Sequence, residues 1–167
     1  MSDFKINIYL ANLSKYNDGE DNGKWIELPT VNLDEELQEI LCDDEEWIIL
    51  DAECDFLSIS EYENIYKLNE LAFTLKSLKN YEARALKSIL EAESDINIAL
   101  NILKNEEYIM FDDVSDDDEL GQYLIENAYF NIPNELEMYI DTEALGRDYA
   151  INHSIIYTKR NTAIEIF

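Results

Sequence analysis

Positive charge is what this chain most conspicuously lacks. Its 167 residues include 12 Lys and Arg against 38 Asp and Glu, a net charge of −26. That shortage argues against nucleic acid or anionic membrane as direct partners, since both are polyanions. Histidine is nearly missing as well: His153 is the only one. No Ser or Cys motif accompanies it to make a catalytic triad, so a structural or surface role is expected. The two cysteines, Cys42 and Cys54, read as reduced thiols of a cytosolic protein and are too few, with one His, for a zinc site. Four glycines and two prolines exclude long flexible linkers and a glycine-rich phosphate loop. No apolar run approaches the roughly 20 residues of a membrane span. The opening Met1-Ser2-Asp3-Phe4-Lys5 lacks the basic-then-apolar pattern of a secretory leader.

What is present is a foldable chain carrying too much acid. Hydrophobic residues make up 47% and are spread throughout, which excludes general disorder. Solubility alone rarely calls for more than about 2–8 charges in a small domain. Adaptation to high salt would usually thin out the large apolar residues. Three readings survive: a basic partner, a metal-rich site, or a surface that impersonates a polyanion. The runs Asp43-Asp44-Glu45-Glu46 and Asp116-Asp117-Asp118-Glu119 are contiguous. A calcium loop of the EF-hand kind wants alternating acids followed by Gly. Contiguous acids point in several directions and read as a solvated face. Any two acids might converge for hydrolysis, and that freedom makes an enzymatic reading uninformative. No catalytic residue, metal or cofactor is assigned, and an enzyme is not expected.

The acid is segregated. Residues 1–63 hold 18 acids and 3 bases, residues 64–105 hold 5 and 6, and residues 106–167 hold 15 and 3. The net charges are −15, +1 and −12. The expected fold is an α+β chain of three small domains: mixed α/β over 1–63, helical over 64–105, mixed α/β over 106–167. In the first, Phe4, Ile6, Ile8 and Leu10 alternate as in a strand, Trp25 to Leu28 suggest a second, Asp34 to Leu41 a helix, and Trp47 to Leu50 another strand. The middle spacing predicts three helices, with Ser60 capping the first alongside Glu63, and Ser94 capping the third. The last part predicts a strand at Tyr108 to Phe111, a helix started by Asp116 to Glu119, another with Pro133 in its first turn, and strands at Ser154 to Tyr157 and Ala163 to Phe167.

Carboxylates four residues apart on a helix stand roughly 6 Å apart, comparable to successive phosphates of one DNA strand. A DNA-binding groove gains affinity from Lys and Arg meeting phosphates. A folded polyanion can collect a similar gain. The candidate phosphate-mimicking acids are Asp18, Glu20, Asp21, Glu35, Glu36, Glu39, Asp43, Asp44, Glu45 and Glu46, then Asp112, Asp113, Asp116, Asp117, Asp118, Glu119 and Glu126.

The ordered set Tyr9-Leu10-Ala11-Asn12-Leu13, Lys15-Tyr16-Asn17, Gly19-Glu20, Gly23 and Trp25 resembles the opening of the ArdA antirestriction proteins. Asp51 and Glu53, then Glu61, Tyr62, Ile65, Leu68 and Asn69, and finally Tyr139-Ile140-Asp141, Ala144, Gly146-Arg147-Asp148 and Ile164-Glu165-Ile166 continue the likeness. Ser14 stands where the family has Gly, Ala52 replaces an aromatic, and residues 73–104 match poorly. The resemblance implies a cytoplasmic protein of plasmids, transposons or phages, built as an elongated, curved, three-part chain that dimerises and mimics bent DNA. It would occupy the DNA-binding groove of type I restriction–modification enzymes. It places the dimer contact at about Asp118 to Asn131, with Leu120, Tyr123, Leu124, Tyr129 and Phe130 as an apolar seam. Two chains would then carry about −52, the charge of about 26 base pairs at one per 1.7 Å of duplex. The alternative is an acidic adaptor that sequesters a different basic DNA-binding protein.

Overall fold

The computed structural model describes residues 4–20 and 22–167. Asp21, one of the candidate acids, lies outside the described residues. The chain divides into two compact units, Met1–Ala83 and Arg84–Phe167. Among the described residues, no helix is long and apolar enough to cross a membrane.

The first unit is an antiparallel three-stranded sheet in the order β2-β1-β3, with helices on one face. Its strands are β1 (Ile6–Asn12), β2 (Lys24–Leu28) and β3 (Trp47–Glu53). Alternation in β1 and β2 sends Ile6, Ile8, Leu10, Ile26 and Leu28 inward, all buried. There they meet Leu33, Leu37, Ile40 and Leu41 of α2 (Leu33–Leu41) and Ile65, Leu68, Ala72 and Leu75 of α3 (Ile65–Ser77). The β1–β3 register shifts between Tyr9, opposite Asp51, and Leu10, opposite Ile49, so Leu50 is an extra residue in β3. The bulge lets Ile49 join the core while Asp51 and Glu53 stay exposed. A short helix, α1 (Leu13–Asn17), follows β1 and buries none of its residues.

The second unit pairs β4 (Tyr108–Asp112), β6 (Thr162–Ile166) and β5 (Ile156–Thr158) in the antiparallel order β4-β6-β5. The turn between β5 and β6 holds Asn161 at φ 57, a left-handed conformation asparagine tolerates. Its helices are α4 (Asn80–Ala92), which starts in the last residues of the first unit, α5 (Ile96–Asn105), α6 (Asp117–Glu126), α7 (Asn134–Glu137) and α8 (Thr142–His153). Phe111, Val114, Leu120, Leu124 and Ala163 form the central cluster. The near-neutral stretch 64–105 is helical, with α3 grouped in the first unit and α5 in the second.

Several helix starts differ from expectation. Asn64 caps α3, its side chain accepting from Tyr66 N and Lys67 N at 3.1 Å each, while Ser60 only bonds Glu63 at 3.3 Å. Asp95, not Ser94, caps α5. Pro133 occupies the N-cap position of α7 rather than its first turn. The α8 helix, which no sequence pattern announced, packs on α6 through two glycines. A Cβ on Gly121 would lie 1.9 Å from the Thr142 carbonyl oxygen, and one on Gly146 would lie 1.8 Å from that of Asp117.

Candidate partner-binding surface

The acids of the first unit fall into two kinds. Glu36 and Glu39 grip Lys24, with Nζ to carboxylate distances of 2.6 and 2.8 Å. These hydrogen bonds, to Glu36 and then Glu39, hold the Lys24 amine above its ordinary range. One lysine thus offsets part of the charge of two candidate acids. Asp18 and Glu20 on the turn after α1, Glu35 on α2, and Asp43, Glu45 and Glu46 after α2 are exposed. Their side chains bond to nothing among the described residues.

The row Asp43–Glu46 is the most informative, because it sits where electrostatics disfavours it. It follows the C-terminus of α2, the negative end of the helix dipole. Buried Asn12 makes the placement tolerable. Its Nδ2 donates to the Leu41 carbonyl at 3.1 Å and to Asp44 Oδ2 at 2.9 Å, while its Oδ1 accepts from Lys15 N at 3.1 Å. Asn22 Nδ2 donates to the Ile40 carbonyl at 3.0 Å. At the far end, Leu13 N donates to the Glu46 carbonyl at 3.0 Å. The row is clamped at both ends, yet Asp43, Glu45 and Glu46 remain open to solvent. Cys42, at φ 56, makes the turn into it.

Sequence reasoning missed a second acidic surface on the outer face of the first sheet. Asn7 stands opposite both Glu27 and Glu53, and Tyr9 opposite both Trp25 and Asp51. These positions share the face away from the core. Asn7 Nδ2 donates to Glu53 Oε2 at 3.0 Å, and Tyr9 and Trp25 rings lie 5.4 Å apart. The signal was available: Trp25 and Glu27 alternate with Ile26 and Leu28, as Asn7 and Tyr9 do with Ile6, Ile8 and Leu10.

The acids of the second unit are mostly engaged within it. Asp116 to Glu119 do not form a free row. Asp116 caps α6, accepting from Glu119 N at 2.9 Å. Asp117 accepts from the Tyr157 hydroxyl at 2.6 Å, and burial followed by that bond pushes the phenol well above its ordinary range. Asp118 accepts from Gln122 Nε2 at 2.8 Å and from the Thr142 hydroxyl. Glu119 accepts from Ser115 N at 2.8 Å and Oγ at 2.7 Å. A helix N-terminus favours acids in its first turn, and here it uses them. Asp112 pairs with Arg84. Asp113 and Glu126 are the exposed candidates in this unit without a bonding partner among the described residues.

Of the expected apolar seam, Leu120 and Leu124 are fully buried in the core of their own unit. Tyr123 packs edge-on against Phe111, with ring centroids 5.4 Å apart. Tyr129 and Phe130 do reach the surface, at 42% and 39% exposure. His153 ends α8 and stacks on Tyr149 at 3.9 Å, with Nδ1 2.9 Å from Glu165 Oε1. Among the described residues, no group of three or more His, Cys, Asp and Glu is placed to hold a metal ion.

A family model described as antirestriction protein (ArdA) matches residues 8–163, nearly the whole chain. No match is found among the curated proteins.

Proposed function

The chain belongs to the ArdA family of antirestriction proteins, and from that premise we propose that it works as a decoy of DNA. In this reading it occupies the DNA-binding groove of a type I restriction–modification enzyme in the cytoplasm and performs no catalysis. Occupancy keeps DNA from cleavage. The observation that carries the reading is the clamped row Asp43–Glu46. Asp43, Glu45 and Glu46 are exposed and have no side-chain bond among the described residues, on a hydrogen-bonded frame at a helix end where they cost stability. Charges placed against stability and then fixed in position suit recognition better than solubility. Asp18, Glu20, Glu35, Asp113 and Glu126 add to the field.

The bonded acids, Asp116 to Glu119, act chiefly by shaping the second unit. Two chains pair through the second unit, with Tyr129 and Phe130 as the surface residues retained from the expected seam.

The test is inhibition of a purified type I enzyme at increasing salt. If about six carboxylates meet Lys and Arg of the groove, affinity should fall about a thousandfold between 50 and 200 mM salt. Inhibition that persists unchanged across that range would remove charge pairing as its basis.

A further inference from the structure

Beside the clamped row lies a cleft of about 320 Å³ lined by Leu13, Glu45, Glu46, Trp47 and Tyr62. Its volume sits at the low end for small-ligand clefts, about 300–1,000 Å³. Its chemistry is mixed in a specific way. Tyr62 is 70% exposed, so its ring is open to an incoming group. Trp47 is half-buried and held edge-on against Tyr66 at 6.3 Å, and the Tyr66 hydroxyl is anchored to Asp34 at 3.1 Å. The Trp47 ring is therefore held by a neighbour that is itself anchored. Glu45 and Glu46 both line the cleft, and neither side chain has a bond among the described residues. Leu13 N donates to the Glu46 carbonyl, which ties two of the lining residues together.

Two aromatic residues and two unpaired carboxylates around one cleft suit a flat cation. We propose that this cleft is a receptor for a guanidinium group, an arginine side chain of the protein partner. A guanidinium is planar, weakly hydrated, and presents a fork of donors to carboxylate oxygens while its face stacks on an aromatic ring. A lysine ammonium is compact and strongly hydrated and gains less from the rings. A phosphate or other anion is disfavoured by Glu45 and Glu46. The apolar walls give this contact a part that salt does not screen, unlike the exposed acids elsewhere. As a contact for a restriction enzyme, the cleft rests on the decoy reading; as a guanidinium site, it rests on its own geometry.

The experiment titrates the full chain with hexa-arginine and hexalysine peptides, equal in charge, in 0.3 M salt. Hexa-arginine should bind about fivefold more tightly, which corresponds to about 1 kcal/mol at 1.4 kcal/mol per tenfold. Tyr62→Leu, at an exposed position, should abolish most of that preference and leave hexalysine binding unchanged. Trp47→Leu should do the same; if it unfolds the chain, Tyr62→Leu decides alone. Equal binding of the two peptides overturns the proposal. So does a preference that survives Tyr62→Leu, or one lost instead in Trp25→Leu on the outer sheet face. The peptides separate this claim from the decoy reading. Loss of the arginine preference in Tyr62→Leu supports the cleft even if the chain fails to inhibit a type I enzyme, a failure that would sink the decoy reading alone.

Discussion

Replacing Gly146 by Ala should damage the second unit far more than the size of one methyl group suggests. Gly146 belongs to the Gly146-Arg147-Asp148 triplet that helped to mark the family. In the structure it is a contact between two helix backbones. The added Cβ would stand 1.8 Å from the Asp117 carbonyl oxygen and 2.7 Å from Gly121 N. Ordinary contact begins at 3.4 Å, so α6 and α8 would have to part by about 1.6 Å. The obstacle is backbone rather than a flexible side-chain tip, so no rotamer change relieves it. Overpacking typically costs about 1–3 kcal/mol, and a backbone clash belongs at the upper end or above. Ala in a helix returns up to about 1 kcal/mol over Gly. A net loss of about 2–3 kcal/mol follows, or about 8–24 °C in the melting temperature of a unit this small at about 4–8 °C per kcal/mol. Thermal unfolding followed by circular dichroism measures it. A Gly146→Ala protein that melts at or above the wild-type temperature would refute the helix–helix contact. Gly121→Ala, facing the Thr142 carbonyl at 1.9 Å, should behave alike.

Three further outcomes are expected. Asn12→Ala should cost about 2–4 kcal/mol in denaturant unfolding, because it strips the Leu41 carbonyl, Asp44 and Lys15 N of their partner inside a buried site; a loss under about 1 kcal/mol would deny Asn12 its role as the clamp. Tyr157 has a raised folded-state pKa, so its contribution is complete below about pH 10 and lost as the pH climbs above that; Tyr157→Phe should flatten part of the alkaline decline of the melting temperature, and an identical decline in both proteins would contradict this. Asp43→Asn or Glu35→Gln should each weaken inhibition only a few-fold and leave melting unchanged or slightly higher, whereas Asp116→Ala should lower stability by about 1 kcal/mol through loss of the α6 cap; the reverse pattern, read by paired inhibition and melting assays, would undo the division between free and bonded acids.

Sequence pattern reached those elements whose packing is apolar. The alternation Ile6, Ile8, Leu10 marks β1, and Leu33, Leu37, Ile40 and Leu41 carry the helical period of α2, because in both a hydrophobic face meets the core. The α8 helix escaped for a physical reason. Gly146 is its fully buried residue, so its inner face is written in the absence of a side chain rather than in a stripe of leucines. The helix caps show another limit. Ser60 and Asn64 are both competent caps, and only the path of the chain decided for Asn64. For the site, the sequence disclosed the sign of the charge and its two segments, but not which acids are already engaged. Tyr157 reaches Asp117 from forty residues away, and Thr142 reaches Asp118 across the α6–α8 junction. Such long-range bonds leave no periodic trace. They separate Asp116 to Glu119 from Asp43, Glu45 and Glu46, although the two runs look equivalent as text.

That split between bonded and unbonded carboxylates also sets how the chain can change over generations. Asp116, Asp118 and Asn12 are tied to named partners, so a change there costs stability unless it is matched elsewhere. Among the described residues, the side chains of Asp43, Glu45 and Glu46 have no bonding partner. A lineage can swap Asp for Glu there, or move an acid by one place, and keep the frame whole. The frame fixes where each charge stands, while these three carboxylates themselves take no part in the hydrogen bonds that hold it.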